Sequence, residues 1–170
     1  MKIALNAGHT LTGKGSGAVG YINESQEARK VVNAVKRYLE GKGHEVTLCN
    51  VDKAESQSAC LYSIARKANL SNADLFVSIH FNAGGGHGSE CYTWKGNKTS
   101  AAVSVCRNLE RLGFKNRGVK DGSKFYVISK TRMPAVLVEV CFVDSKTDCE
   151  LYKSAGVNII AQAITRGILS

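Results

Sequence analysis

His9 and His80 each stand where a short apolar run breaks into glycine and polar residues, in MKIALNAGH and in DLFVSIHFNAGGG. Open α/β sheets build their sites at the carboxyl ends of strands. Imidazoles held at two such ends can share a metal ion, whereas either one alone is more simply a hydrogen-bonded structural residue. With Glu24 opening the helix that follows the first strand, the chain offers two nitrogens and one oxygen. That is a common open zinc set with a position left for water, and it points to a hydrolase that uses one zinc ion. His44, in GKGHEV, reads as a turn residue, and His87, in GGGHGSE, as an exposed loop residue that could touch a substrate.

Two glutamates compete for the helix start, and helical phase separates them. At about 100° per residue, Glu24 lies roughly 35° from the centre of the stripe Val31, Val32, Val35 and Leu39, and Glu27 roughly 95°. Glu24 therefore points inward. Taken alone, it reads as a helix-start carboxylate favoured by the helix dipole. Glu139 makes a stronger case. In PAVLVEVCF, alternation puts Ala135, Leu137, Glu139 and Cys141 on one face and Val136, Val138, Val140 and Phe142 on the other. Both faces are apolar, as in a buried central strand, so a carboxylate there must be paired, protonated or facing a cleft. Such a group is a candidate catalytic acid or base with a displaced pKa.

The elements that must position these residues follow from periodicity and punctuation. Residues 2–7 read as a first strand, followed by a glycine-rich loop and a helix that Asn23 and Gln26 cap and that Gly41 or Gly43 ends. EVTLCN is a second strand, residues 55–70 a second helix and DLFVSIH a third strand, an order that predicts a parallel core with right-handed crossovers. The glycine loop 84–86 is too short for a crossover helix, so GSECYTW returns antiparallel or lies at an edge. A helix over 98–113, the strands FYVIS and AVLVEVCF, and a helical remainder from Ser145 with the stripe Ile159, Ile160, Ala163 and Ile164 complete the chain. The fold class expected is α/β, three layers with a mixed, mainly parallel sheet of about six strands.

The chain has 170 residues, 44% of them hydrophobic, with no linker or repeat, which is most simply one domain over 1–170. The amino terminus lacks the long apolar segment of a secretory leader, so synthesis in the cytoplasm without a signal peptide is expected. No run reaches the ~20 apolar residues of a membrane helix. Six cysteines, none in a C-x-x-C pair, read as free thiols. The net charge of +9 is concentrated: residues 95–132 hold ten Lys or Arg against Glu110 and Asp121. Such a segment suits an anionic polymer or is merely a solvated basic face. Its few aromatics and the absence of a recognisable motif argue against nucleic acid.

AGHT with His9, Glu24 at the helix start, SIHFNA with His80, NRGVKDGSKFYVI, and PAVLVEVCF with Glu139 occur in one order and span nearly the whole chain. In that set the chain resembles the zinc-dependent N-acetylmuramoyl-L-alanine amidases of the amidase-3 type, in particular bacteriophage endolysin catalytic domains. The resemblance implies that His9, Glu24 and His80 bind zinc, that Glu139 is the catalytic glutamate, and that the substrate is the amide between N-acetylmuramic acid and L-alanine in peptidoglycan. It implies action on the cell wall after release, as a phage lysin or, alternatively, a bacterial autolysin, with no wall-binding domain in this chain. Two positions depart from the family pattern. Asn6 stands where the family often has Asp, leaving Asn6 to orient His9, and Cys141 stands where it often has Gly.

Two competing functions remain at this level. Cys141, sharing a strand face with Glu139, could serve a cysteine-type wall endopeptidase, although no helix start is there to lower its pKa. The basic segment could instead serve a wall-binding module without catalysis.

Overall fold

The computed structural model describes all of residues 1–170. Six strands form one sheet: β1 (Lys2–Ala7), β2 (Glu45–Leu48), β3 (Leu75–Asn82), β4 (Ser89–Thr93), β5 (Asn116–Asp121) and β6 (Ala135–Phe142), in the order β2-β1-β3-β6-β4-β5. β2, β1, β3 and β6 run parallel, β4 is antiparallel to β6, and β5 is parallel to β4. β4 is thus antiparallel as expected, yet interior, because β5 covers its outer side.

Six helices flank the sheet: α1 (Glu24–Glu40), α2 (Gln57–Leu70), α3 (Ser100–Glu110), α4 (Tyr126–Ser129), α5 (Lys146–Ala155) and α6 (Val157–Ile168). Asn23 caps α1 by accepting from the Gln26 amide at 3.1 Å, which satisfies one of the free donors of the first turn. Strand alternation sends Ile3, Leu5, Val77, Ile79, Val136 and Val138 into a core shared with α1, α3 and α6. The opposite face, with Ala4, Phe76 and Leu137, packs on α2 and α4.

Three expectations are corrected by this packing. FYVIS is not a strand. Its residues Tyr126–Ser129 form α4, whose Val127 and Ile128 close the smaller core; a short apolar run does not distinguish a buried helix turn from a strand. The sixth strand is instead β5, NRGVKD, whose polar residues at the sheet edge carry little apolar signal. The carboxyl-terminal helical region breaks at Gly156, which adopts φ 77°, and Ile159 falls outside the buried stripe at 44% exposure while Ile160 and Ile164 are fully buried.

The third concerns β6. Its register with β3 slips by one residue between His80↔Glu139 and Asn82↔Phe142, a bulge that sends both Val140 and Cys141 into the larger core. Cys141 therefore leaves the face that carries Glu139.

Candidate metal centre and active site

The sheet order places β1 beside β3 at the point where chain direction across the sheet reverses, and the carboxyl ends of these strands open a crevice. On the α2 side of the sheet, alternation brings Asn6 of β1, Ser78 and His80 of β3 and Glu139 of β6 to that end. Asn6 is in register with Ser78, and His80 with Glu139. His9 follows two residues after β1, and Glu24 enters from the first residue of α1. The crevice is a cavity of about 530 Å³ lined by Asn6, His9, Glu24, His80 and Glu139 together with Phe125 and Tyr126, with Ser78 buried behind it.

His9, Glu24 and His80 each offer one ligand atom, all within 4.8 Å of one another. Glu24 Oε1 lies 3.2 Å from His9 Nε2 and 3.2 Å from His80 Nδ1. The Phe81 amide donates to the same oxygen at 3.2 Å and the Ala18 amide to Oε2 at 2.9 Å, so backbone donors from β3 and from the loop before α1 aim the carboxylate. The far nitrogen of each imidazole is also held. His9 Nδ1–H donates to the Gly15 carbonyl at 3.1 Å, and His80 Nε2 meets Ser78 Oγ at 3.0 Å. Such bonds fix tautomer and ring orientation, so that the two nitrogens facing Glu24 can act as ligands.

Two glycines make room for this cluster. A Cβ on Gly8 would overlap the His80 ring, and one on Gly17 would lie 2.6 Å from Glu24 Oε2. His9 itself adopts φ 64°, a left-handed conformation that disfavours side chains and therefore needs support from its surroundings.

The electrostatics follow from burial and pairing. Burial by itself would raise the Glu24 pKa, but its bonds to His80 and His9 hold it well below the usual carboxylate range. For His9, burial is outweighed by the Glu24 carboxylate and its pKa is raised; for the more deeply enclosed His80, burial prevails and its pKa is lowered. Glu139 is pushed well upward, by burial first and then by the negative charges of Glu24 and Glu90. Its Oε2 is buried without a hydrogen-bond partner. Two imidazole nitrogens, one ionised carboxylate and a facing carboxyl with a free oxygen form a donor set that fits a divalent metal ion and the polar groups around it.

The same fold appears in known proteins. Residues 3–170 match the Amidase_3 family, N-acetylmuramoyl-L-alanine amidase. The chain belongs to this family. It is 39% identical over 176 residues to an uncharacterized protein of Clostridium perfringens, with 99% of this chain and 51% of that protein covered. It is 37% identical over 180 residues to the endolysin of Bacillus phage SPP1, covering 96% of this chain and 63% of the endolysin. The chain thus spans about half to two thirds of the length of these relatives. Among solved structures, the catalytic domain of an endolysin targeting Clostridia Difficile superimposes with TM-score 0.92 at 28% identity, covering 99% of this chain and 97% of that one.

Within this amidase-family chain, several residues escaped the sequence reading. Asn6 does not orient His9. It bonds Ser78 Oγ at 2.9 Å and so supports His80; in the amide orientation that satisfies both ends, its oxygen accepts from Ser78 and its nitrogen donates to the Cys49 carbonyl. Ser78 was legible in principle, two residues before His80 on the same strand face. Arg29 spreads its guanidinium over the His9 loop, and Glu90, fully buried, accepts from Arg117, Lys120, Tyr92 and Asn82 directly across from Glu139 in the β4–β6 register. No local signal marks Glu90, because its position depends on which strands pair. His87 and Cys141 do not line the cavity, and Cys141 is fully buried with its thiol pKa pushed far up by desolvation. His44 lies far along the chain from the centre, 3.3 Å from the amino-terminal nitrogen.

Proposed function

We propose that this chain hydrolyses the amide joining N-acetylmuramic acid to the L-alanine of the peptidoglycan stem peptide, with His9, Glu24 and His80 as ligands of one zinc ion and Glu139 as catalytic base and acid. The observation that carries the reading is the placement of Glu139 in register with His80 at the edge of a three-donor cluster, in a cleft open to a polymer. Family membership names the bond. The likeness to endolysins supports a role in wall lysis.

Bound there, zinc supplies the Lewis acidity that polarises an amide carbonyl and makes water a nucleophile near neutral pH, and its charge opposes the upward push on Glu139. Glu24 brings the negative charge that favours a cation between the imidazoles. Gly15 and Ser78 keep His9 and His80 presenting unprotonated nitrogens. Glu139, with Oε2 unpartnered, accepts the proton of the attacking water and returns it to the departing amine nitrogen of L-alanine. Phe125, Tyr126, Leu61 and Ile64 give the cleft apolar walls that can shelter the reacting amide.

Digestion of purified peptidoglycan with the zinc-loaded protein and with the chelated protein, followed by mass spectrometry of the products, tests this reading. New L-alanine amino termini are expected only with zinc, and the glycan strands should stay intact in both digests. Cleavage of a glycosidic or peptide cross-link bond, or activity that survives chelation, would refute it.

A further inference from the structure

A second depression adjoins the cleft. It measures about 250 Å³ and shares Tyr126 with the larger cavity. One wall is a stripe of α2, with Tyr62, Arg66, Asn69 and Leu70 at helical spacing; the other is α4 and the loop after it, with Tyr126, Lys130 and Arg132. Three cations thus surround one space, and no acidic residue lines it. None of the three is ion-paired, so all three charges are free to meet a ligand.

The cations do not sit on a loose loop. Asn69 uses both ends of its amide to pin it: Nδ2 donates to the Lys130 carbonyl and Oδ1 accepts from the Arg132 amide, each at 2.8 Å. Thr131 Oγ1 adds a bond to the Val127 carbonyl at 2.7 Å. Backbone held this way keeps Lys130 and Arg132 opposite Arg66 before any ligand arrives, which lowers the ordering cost of binding. Around them, Tyr62 and Leu70 are 58% and 67% exposed and offer apolar contact. Arginine forks beside aromatic and aliphatic side chains match an oxyanion carried on an organic chain.

We propose that this groove is a second subsite of the cleft that binds a carboxylate of the stem peptide while the peptide's amino-terminal amide lies at His9, Glu24 and His80. The proposal rests on the amidase reading and adds to it. A peptide joined to the sugar through its amino end carries a free carboxylate at its other end, and a substrate leaving the cleft past Tyr126 enters the groove. The basic segment seen in the sequence then has a local use: Lys130 and Arg132 belong to it, and Arg66 joins them from α2.

The test compares wild type with Arg66→Gln/Arg132→Gln on a soluble muropeptide with free carboxylates and on the same muropeptide with its carboxylates amidated. Both side chains are exposed and unbonded, so folding is not at risk. For the free form, KM should rise about three- to tenfold in the double variant with kcat within about twofold, as expected for two partly exposed charge contacts. The amidated form should be cut equally by both proteins. Lys42→Gln/Arg107→Gln removes the same charge away from the groove and should leave both substrates unaffected. An equal loss in that control, or an equal loss on the amidated substrate, would overturn the proposal. So would a loss confined to whole walls that vanishes once their phosphodiester polymers are stripped, since the anion would then be phosphate. Calorimetric titration with the free stem peptide separates the two levels of inference. If wild type binds it more tightly than the double variant but releases no L-alanine amino termini from the muropeptide, the subsite stands and the amidase reading falls.

Discussion

The guanidinium of Arg29 donates to the carbonyl oxygen of His9 at 3.0 Å. The same side chain bonds the carbonyls of Gly8, Ser25 and Val51 and the carboxylate of Asp52, so that every N–H of the fork has a partner. It joins α1, the loop after β1 and the loop after β2, and it is only 12% exposed. Its geometric effect falls on a left-handed histidine that must present Nε2 toward Glu24.

Arg29→Lys keeps the charge and loses the fork. Metal affinity is expected to fall about 10- to 100-fold, the usual cost of losing a group that orients a ligand. Competition with a chromophoric chelator measures it, and a cobalt-substituted absorption spectrum should shift with it. Unchanged affinity would show that Arg29 only ties loops together.

Gly8→Ala places a methyl group in the space of the His80 ring, meeting Cε1, Nδ1 and Nε2, so the ring must leave its position. The Gly8 amide is fixed to the Ile79 carbonyl at 2.8 Å. Loss of measurable metal binding is expected, with far-UV circular dichroism close to wild type. Stoichiometric metal in the purified variant would mean that the ring has another position available.

How much of this was legible depends on whether the deciding geometry is local. Glu24 was separable from Glu27 because helical phase is set within one helix, and Glu24 is 3% exposed while Glu27 reaches out to the Tyr152 hydroxyl and Lys30. Strand alternation likewise set Glu139 on the same face as Leu137. Alternation failed two residues later, because the bulge at Val140 and Cys141 arises from pairing with β3 and leaves no mark in a run of apolar residues. The same holds for β5, whose half-buried polar residues become a strand only through β4. Arg29 sits at the border of the α1 stripe, where a cation is ordinarily solvated, and its five partners come from segments that only the fold assembles.

Burial of Cys141 yields a prediction that separates metal from thiol chemistry. Its thiol is fully enclosed and outside the cleft, with a pKa far above neutrality. A thiol-blocking reagent should leave wall-clearing activity intact, and a chelator should abolish it. Cys141→Ala should retain activity with a stability loss of about 1 kcal/mol. Inactivation by the blocker that Cys141→Ala prevents would reverse the assignment.

Glu90 gives stability a defined pH dependence. Burial alone would raise its pKa, but hydrogen bonds from Lys120, Arg117 and Tyr92 outweigh it and hold the carboxyl below its usual range. The unfolded chain therefore takes up this proton first, at about pH 4.3. The contribution of Glu90 is complete above that value and is lost as pH falls through it toward the folded pKa. Urea unfolding should show Glu90→Gln about 1–3 kcal/mol less stable than wild type at pH 7, with the gap narrowing by about pH 3. A gap that does not change with pH would place the effect in packing.

Glu139 and His80 lie side by side in the β3–β6 register, yet their substitution should have different results. Glu139→Gln keeps the shape of a side chain that makes no hydrogen bond to the three-donor cluster, so metal content should stay near wild type. Turnover should drop by about 10²- to 10⁴-fold, the range for removing a positioned proton-transfer group. His80→Ala removes one of three donors and leaves Glu24 with a single imidazole, so both metal and turnover should be lost. Metal analysis of the two purified variants, alongside a wall-clearing assay, reads both effects in the same samples. Substantial clearing by Glu139→Gln would take Glu139 out of the proton transfer. The unpartnered Oε2 would then require another explanation, and Glu90, the other acidic group across the sheet from it, is already committed to four donors.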